Sequence, residues 1–379
     1  MAFESKKRHL LDTMSKFCVF IVFVLASIPV NAGVVVKDAA TGQPLAKASV
    51  FDKEGVFIAV ADNEGRVPES VSPESYPLNI RYVGYMPVTV TSPEIGVVAM
   101  EESTYTLPEV VIDDVSRNIL YLQVYVREYH TLDNSKDTVA KFIEQITDYA
   151  IPVGKAKYKG WKKPRLLAGE EYSYRKMDRK KASVDTFVYK EQDRKSFTTN
   201  FDITQKFKLP EPVLSGEMTE YVKDGKYSVS ERWSQTGDSY IYEDDALADY
   251  KDHAYQPAIL KMMGASAAQT MDESRYRFEK GVKKGVGVEN LIEASTNFNI
   301  ILKGKLFKKV TEQNEDTNTS FYSEMFVIDR AYLTAEEAKE LKKDPPYVDL
   351  KHYKIPDGIP APPEEVINLK KEVLSSRAN

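Results

Sequence analysis

The chain has 379 residues, enough for two domains of roughly 100–200 residues each. A hydrophobic share of 42% with 29% charged residues is a water-soluble globular composition and excludes a bundle of membrane helices. The formal net charge of -5 is mild, so bulk electrostatics do not call for nucleic acid as a partner.

Residues 1–32 read as a cleaved secretion signal. Lys6, Lys7, Arg8 and Lys16 precede the apolar run Phe17 to Val30, and Val30-Asn31-Ala32 supplies the residues a signal peptidase reads. Met14 offers an alternative start, and Gly33 is the expected mature N-terminus. The alternative is an uncleaved anchor, but the apolar run of 14 residues falls short of the ~20 that span a bilayer. Cys18, the only cysteine, lies inside this segment. The mature chain therefore has no disulfide, thiolate metal site or cysteine nucleophile. Cys18 opens the apolar run instead of following it, which argues against lipid attachment. The expected location is the periplasm or the outer membrane.

A first domain is expected over 33–113. Apolar runs (VVV, ASVF, VFIAVA, LNIRYV) alternate with turn signals (TGQP, KEG, NEG), as in short antiparallel strands of a sandwich. Gly42 in Thr41-Gly42-Gln43-Pro44 and Gly65 after Asp62-Asn63-Glu64 suit turns. Asp62, Asn63 and Glu64 lack EF-hand spacing, so a turn is preferred to a calcium site. The expected core is Val35, Val50, Ile58, Val60, Ile80 and Val88. The segments TGQPLAKASV, VADNEGRV, LNIRYVGYMPVTV and LPEVVI resemble the carboxypeptidase regulatory-like domain, a prealbumin (transthyretin-like) family. That resemblance covers about 80 of 379 residues and implies a seven-stranded antiparallel β-sandwich. In bacteria such domains front outer-membrane receptors and other exported proteins, and they imply no reaction.

From 114 to 343 the pattern predicts an α+β domain with a curved antiparallel sheet, making the chain mainly β. Leu120, Leu122, Val124 and Val126 alternate with polar or aromatic residues, a strand period. Val139, Phe142, Ile143 and Ile146 stand at helical spacing in Asp137 to Ala150, with a strand as the alternative. Tyr-rich alternating segments follow: EYSYRKM, VDTFVYKE, TEYVKDGKYSVSERW and DSYIYEDD. Pro257 to Gly264 reads as a short helix, and Thr334 with Glu337 as a capping box. Residues 344–379 read as a proline-rich tail ending in a helix from Pro363. This second part resembles periplasmic lipoprotein and lipid carrier half-barrels in strand order and location, without a diagnostic motif.

Catalytic patterns are not found. A zinc carboxypeptidase needs His and Glu close in sequence plus a distant His, but His130, His253 and His352 stand in no such motif. There is no G-x-S-x-G elbow, and the glycine-rich Gly281 to Gly287 lacks the G-K-[ST] ending of a phosphate loop. Glu243, Asp244 and Asp245 read as a solvated acidic run. No cofactor and no enzymatic activity are expected. Charge segregation is the stronger signal. Residues 154–210 hold sixteen Lys or Arg against seven acids, and residues 215–252 hold ten acids against four bases. Lys155, Lys157, Tyr158, Lys159, Trp161, Lys162, Lys163 and Arg165 form a basic, aromatic-interleaved candidate patch for an anionic envelope ligand. The competing reading is a solvated sheet face whose Lys stems cover aromatics. Together these features describe a non-catalytic exported binding or scaffold protein whose partner is an envelope protein, lipid or polysaccharide. A lipid or polysaccharide carrier and a hydrolase of unfamiliar fold are the alternatives.

Overall fold

β-Branched and aromatic residues at period two recur along the folded chain, and strands are its predominant regular structure. The computed structural model describes residues 33–105, 117–134, 137–153, 158, 161–177, 181–188, 206–223, 228–248, 258–280, 285–304, 316–341, 349–364, 366–368 and 370–371. The first unit contains β1 (Val35–Asp38), β2 (Ser49–Phe51), β3 (Phe57–Val60), β4 (Leu78–Arg81), β5 (Val88–Val90) and β6 (Val97–Met100). Four of them form a sheet in the order β3-β2-β4-β5, and β1 pairs with β6 beside it. One pair departs from the expected antiparallel pattern. β1 and β6 run parallel, with Val35 opposite Val97, because the chain crosses through the other sheet between them. The strand expected around residues 106–113 lies outside the described residues.

The core of this unit corrects part of the expectation. Val50 and Ile80 are fully buried, and Ile58 is 37% exposed because Phe57 takes the inward position. Val34 and Val36 point inward in place of Val35, and Val60 and Val88 are half-buried. A shift of one residue in a period-two element exchanges its faces. Gly42 and Gly65 both have positive φ, as the turns require. The Asp62 carboxylate accepts from the Glu64 and Arg66 amides at 2.9 and 2.8 Å, so it builds the turn itself.

The second unit is one ten-stranded antiparallel sheet. Its strands are β7 (Ile119–Asp133), β8 (Asp137–Pro152), β9 (Trp161–Met177), β10 (Lys181–Val188), β12 (Thr219–Lys223), β13 (Val229–Thr236), β14 (Ser239–Asp245), β15 (Ser266–Glu279), β17 (Leu291–Lys303) and β18 (Thr317–Leu333). The order β10-β9-β8-β7-β18-β17-β15-β14-β13-β12 places the first and last strands at the centre, with hairpins growing outward on both sides. Register shifts in β8–β9, β15–β17 and β18–β7 bend it. Asp137 to Ala150 is therefore strand and not helix. Both faces of this sheet are covered, so apolar side chains fall on both parities of β8 and imitate a helical spacing.

On one face, Leu120, Leu122, Val124 and Val126 pack with Trp233, Tyr242, Tyr276 and Phe278. That core includes Phe207 and Val213, from β11 (Phe207–Lys208) and α1 (Glu211–Leu214), and Val286, from β16 (Gly285–Val286). The opposite face receives the sandwich and the C-terminal segment. Phe51 meets Tyr129 and Tyr322 edge-on at 5.1 and 5.2 Å. Leu350, Tyr353, Ile355 and Ile359 pack beside Tyr125 and Phe326. The described part of the proline-rich tail, from Asp349 onward, is thus a strap across the sheet, and its last described residues include a helical stretch with Val366 buried. Two short helices follow their sequence signals. α2 (Ala258–Met262) is succeeded by Gly264 at positive φ, and α3 (Ala335–Leu341) carries the Thr334–Glu337 capping box. Among the described residues, no helix is long and apolar enough to cross a membrane.

Candidate functional site at the joint of sandwich and sheet

The sandwich meets the sheet through charge as well as through aromatic rings. Arg81, ending β4, approaches the Glu324 carboxylate of β18 at 3.3 Å, and Arg127 of β7 reaches the same carboxylate at 2.6 Å. The hydroxyls of Tyr129 and Tyr322 donate to it, each at 3.2 Å. The strap completes the arrangement: Arg127 donates to the Pro360 carbonyl and Arg81 to the Ala361 carbonyl, both at 2.7 Å. Burial opposes the charge on each guanidinium, but Glu324 outweighs it and holds both more firmly protonated than usual. Gly84, at positive φ, donates its amide to Glu293 at 2.6 Å. Arg277 stands 3.3 Å from the same carboxylate. A side chain at Gly84 would crowd Arg277, with Cβ 3.3 Å from its Cδ.

Beside this layer an open cleft lies between the two units, with about 60 Å³ of water-accessible space. Lys47 enters it from the sandwich. It is the one non-glycine residue at positive φ among the described residues (φ 62°), and its ammonium reaches Glu273 at 2.8 Å and Asp245 at 3.6 Å. Burial works against that charge, but Glu273 and Asp245 raise the lysine above its ordinary value. On the sheet side Arg275 stacks over the Tyr82 ring at 3.9 Å and holds Glu243 at 2.6 Å, and the Tyr82 hydroxyl donates to Glu243 at 2.9 Å. Arg232 stands between Glu220 at 3.5 Å and Glu243 at 3.9 Å. Asn297 accepts from the Ser49 hydroxyl at 3.0 Å.

The acidic run read as solvated is divided between environments. All three border the cleft, but strand alternation puts Glu243 and Asp245 on one face of β14, toward Arg275 and Lys47, and aims the Asp244 side chain to the other. There burial, with Asp272 nearby, pushes the Asp244 carboxyl up to about 7.

The basic patch is placed as follows. Lys155, Lys157 and Lys159 lie outside the described residues, as do the side chains of Lys162 and Lys163 on β9. Tyr158 is half-buried, and Trp161 is buried against Ile119, Ala150 and Ala338. Arg165 covers the Trp161 ring at 4.0 Å and grips Asp148 with two hydrogen bonds of 2.8 and 2.5 Å. The fold brings Tyr158, Trp161 and Arg165 together and turns the last two into the protein.

Other sequence candidates resolve into structure. His130 stands 3.1 Å from Glu128 on its own strand and edge-on to Phe321. Gly285 is glycine because β11 passes against it, where a Cβ would sit 2.6 Å from the Phe207 carbonyl oxygen. Among the described residues, no group of three His, Cys, Asp or Glu side chains is arranged to hold a metal. The cleft residues escaped the sequence reading because they come from separate strands. A usable signal was Glu273, Arg275 and Arg277 alternating with Tyr276 and Phe278, a charged face opposite an aromatic one. No protein-family model matches the chain, and no curated protein matches it.

Proposed function

We propose that this chain is a non-catalytic exported protein of the cell envelope, periplasmic or associated with the outer membrane, acting as a binding or scaffold module. In this reading residues 33–113 are a carboxypeptidase regulatory-like sandwich that docks onto the larger sheet and shares a binding surface with it. One observation carries the proposal: Arg81 of the sandwich and Arg127 of the sheet share Glu324, and the strap caps both guanidiniums. A joint built from buried, mutually dependent charges favours one fixed relative geometry. That suits presentation of a surface to an envelope protein, lipid or polysaccharide.

Cell fractionation with mass spectrometry, followed by substrate screening of the purified chain, tests this. The expected result is an envelope-fraction protein beginning at Gly33, without peptidase, esterase or glycosidase turnover. An intact cytoplasmic chain would refute export. Turnover that survives purification and disappears on one His or carboxylate substitution would refute the non-catalytic reading.

A further inference from the structure

We infer that the cleft bounded by Lys47, Arg232, Glu243 and Asp245 binds a neutral sugar ring through its hydroxyl groups. The inference rests on the binding-module reading and supplies its ligand class. The unspent hydrogen-bonding capacity points to it. The Arg232 guanidinium donates no hydrogen bond among the described residues. Its nearest carboxylates stand at 3.5 and 3.9 Å, and its side chain is 18% exposed. Held only in these two long ion pairs, its N–H donors border the cleft with capacity for a further acceptor. Asn63, at the exposed turn above, also makes no hydrogen bond among the described residues and lines the same space. Glu243 binds Arg275 and Tyr82 through one oxygen, leaving the other toward Arg232.

The charge balance selects the ligand. Lys47, Arg232 and Arg275 face the carboxylates of Glu220, Glu243, Asp245 and Glu273, and Asp244 also borders the cleft, with its carboxyl pushed up to about 7 by burial. An anion approaching Arg232 meets Glu220 and Glu243, and a cation approaching Asp245 meets Lys47. A hydroxyl donates once and accepts from the other side, so adjacent hydroxyls can satisfy a carboxylate and a guanidinium together. The space exceeds the ~10–15 Å³ that one water requires and takes the edge of a ring with the remainder in solvent. Lys47 supplies an independent sign of a built site. A lysine held in the left-handed region is unfavourable, and its backbone strain is stored at this cleft.

The test titrates the full chain with glucose, galactose, mannose, xylose and N-acetylglucosamine, and with short oligosaccharides of each. Binding is read by saturation-transfer NMR and calorimetry. At least one of these is expected to bind with little dependence on salt. Arg232→Ala should weaken it about tenfold or more, the loss of one strong donor set. Asn63→Ala, an exposed change that leaves folding intact, should weaken the same sugar. Glutamate, citrate and spermidine stand for zwitterionic, anionic and cationic ligands. Binding of any of these at the cleft in place of sugars would overturn the inference. So would silence from every sugar, or sugar binding unaffected by both variants. Such failures leave export and lack of turnover, measured separately, untouched.

Discussion

Replacing Glu324 by Gln would remove one charge from between two guanidiniums and leave the shape of the joint almost unchanged. Glu324 is 4% exposed, Arg81 3% and Arg127 1%, so water cannot replace the lost carboxylate. Two unit charges about 4 Å apart attract by about 4 kcal/mol at an effective dielectric of 20, and desolvation offsets much of that for an intact pair. Breaking a buried pair from one side leaves the offset without the attraction and costs about 3–5 kcal/mol. Against a typical total of about 5–15 kcal/mol that is a large share. Urea unfolding of the full chain, followed by far-ultraviolet circular dichroism, measures it. Arg81→Met should also rescue part of the loss in the double variant, because it removes one of the stranded cations. A coupling of about 0.5–3 kcal/mol is expected for residues in contact. A loss for Glu324→Gln below about 1 kcal/mol, with additive double-variant behaviour, would refute the account of the joint.

Gly65→Ala should destabilise by about 2 kcal/mol or more, because φ is +74° and the new Cβ would strike the Val36 carbonyl. Gly42→Ala, at φ +71° with nothing nearby, should cost only the left-handed penalty of about 1 kcal/mol; equal Tm losses for the two would contradict this. Asp244 titrates at about 7 in the folded chain against 3.8 ordinarily, so the folded state binds its proton more tightly than the unfolded state. Its contribution to stability is fully present below about pH 4 and is lost as pH rises toward 7, by up to about 4 kcal/mol at about 1.4 kcal/mol per unit. Asp244→Asn should therefore raise the urea midpoint at pH 8 and flatten its pH profile; an unchanged midpoint at pH 8 would count against it.

Local chemistry was legible where neighbours in sequence are neighbours in space. The turns at Gly42 and Gly65, the capping box at Thr334 and the short helix before Gly264 are all short-range, and backbone sterics or one hydrogen bond decides each. The mainly β class followed from period-two alternation over most of the chain. Tertiary structure decided what alternation leaves open. It made Asp137 to Pro152 a strand, because pairing with β7 on one side and β9 on the other outweighs a spacing compatible with a helix. It set which of Val34, Val35 and Val36 is core, since a strand's inward face is fixed by its partners. It also turned Trp161 and Arg165 inward and gathered Lys47, Arg232, Glu243 and Arg275 at one cleft. Those four residues lie on the sandwich and on three different strands, and period-two alternation relates residues within one strand only. The sequence by itself determined the repertoire of strands and turns; the closing of β18 against β7, over nearly two hundred intervening residues, determined which charges meet.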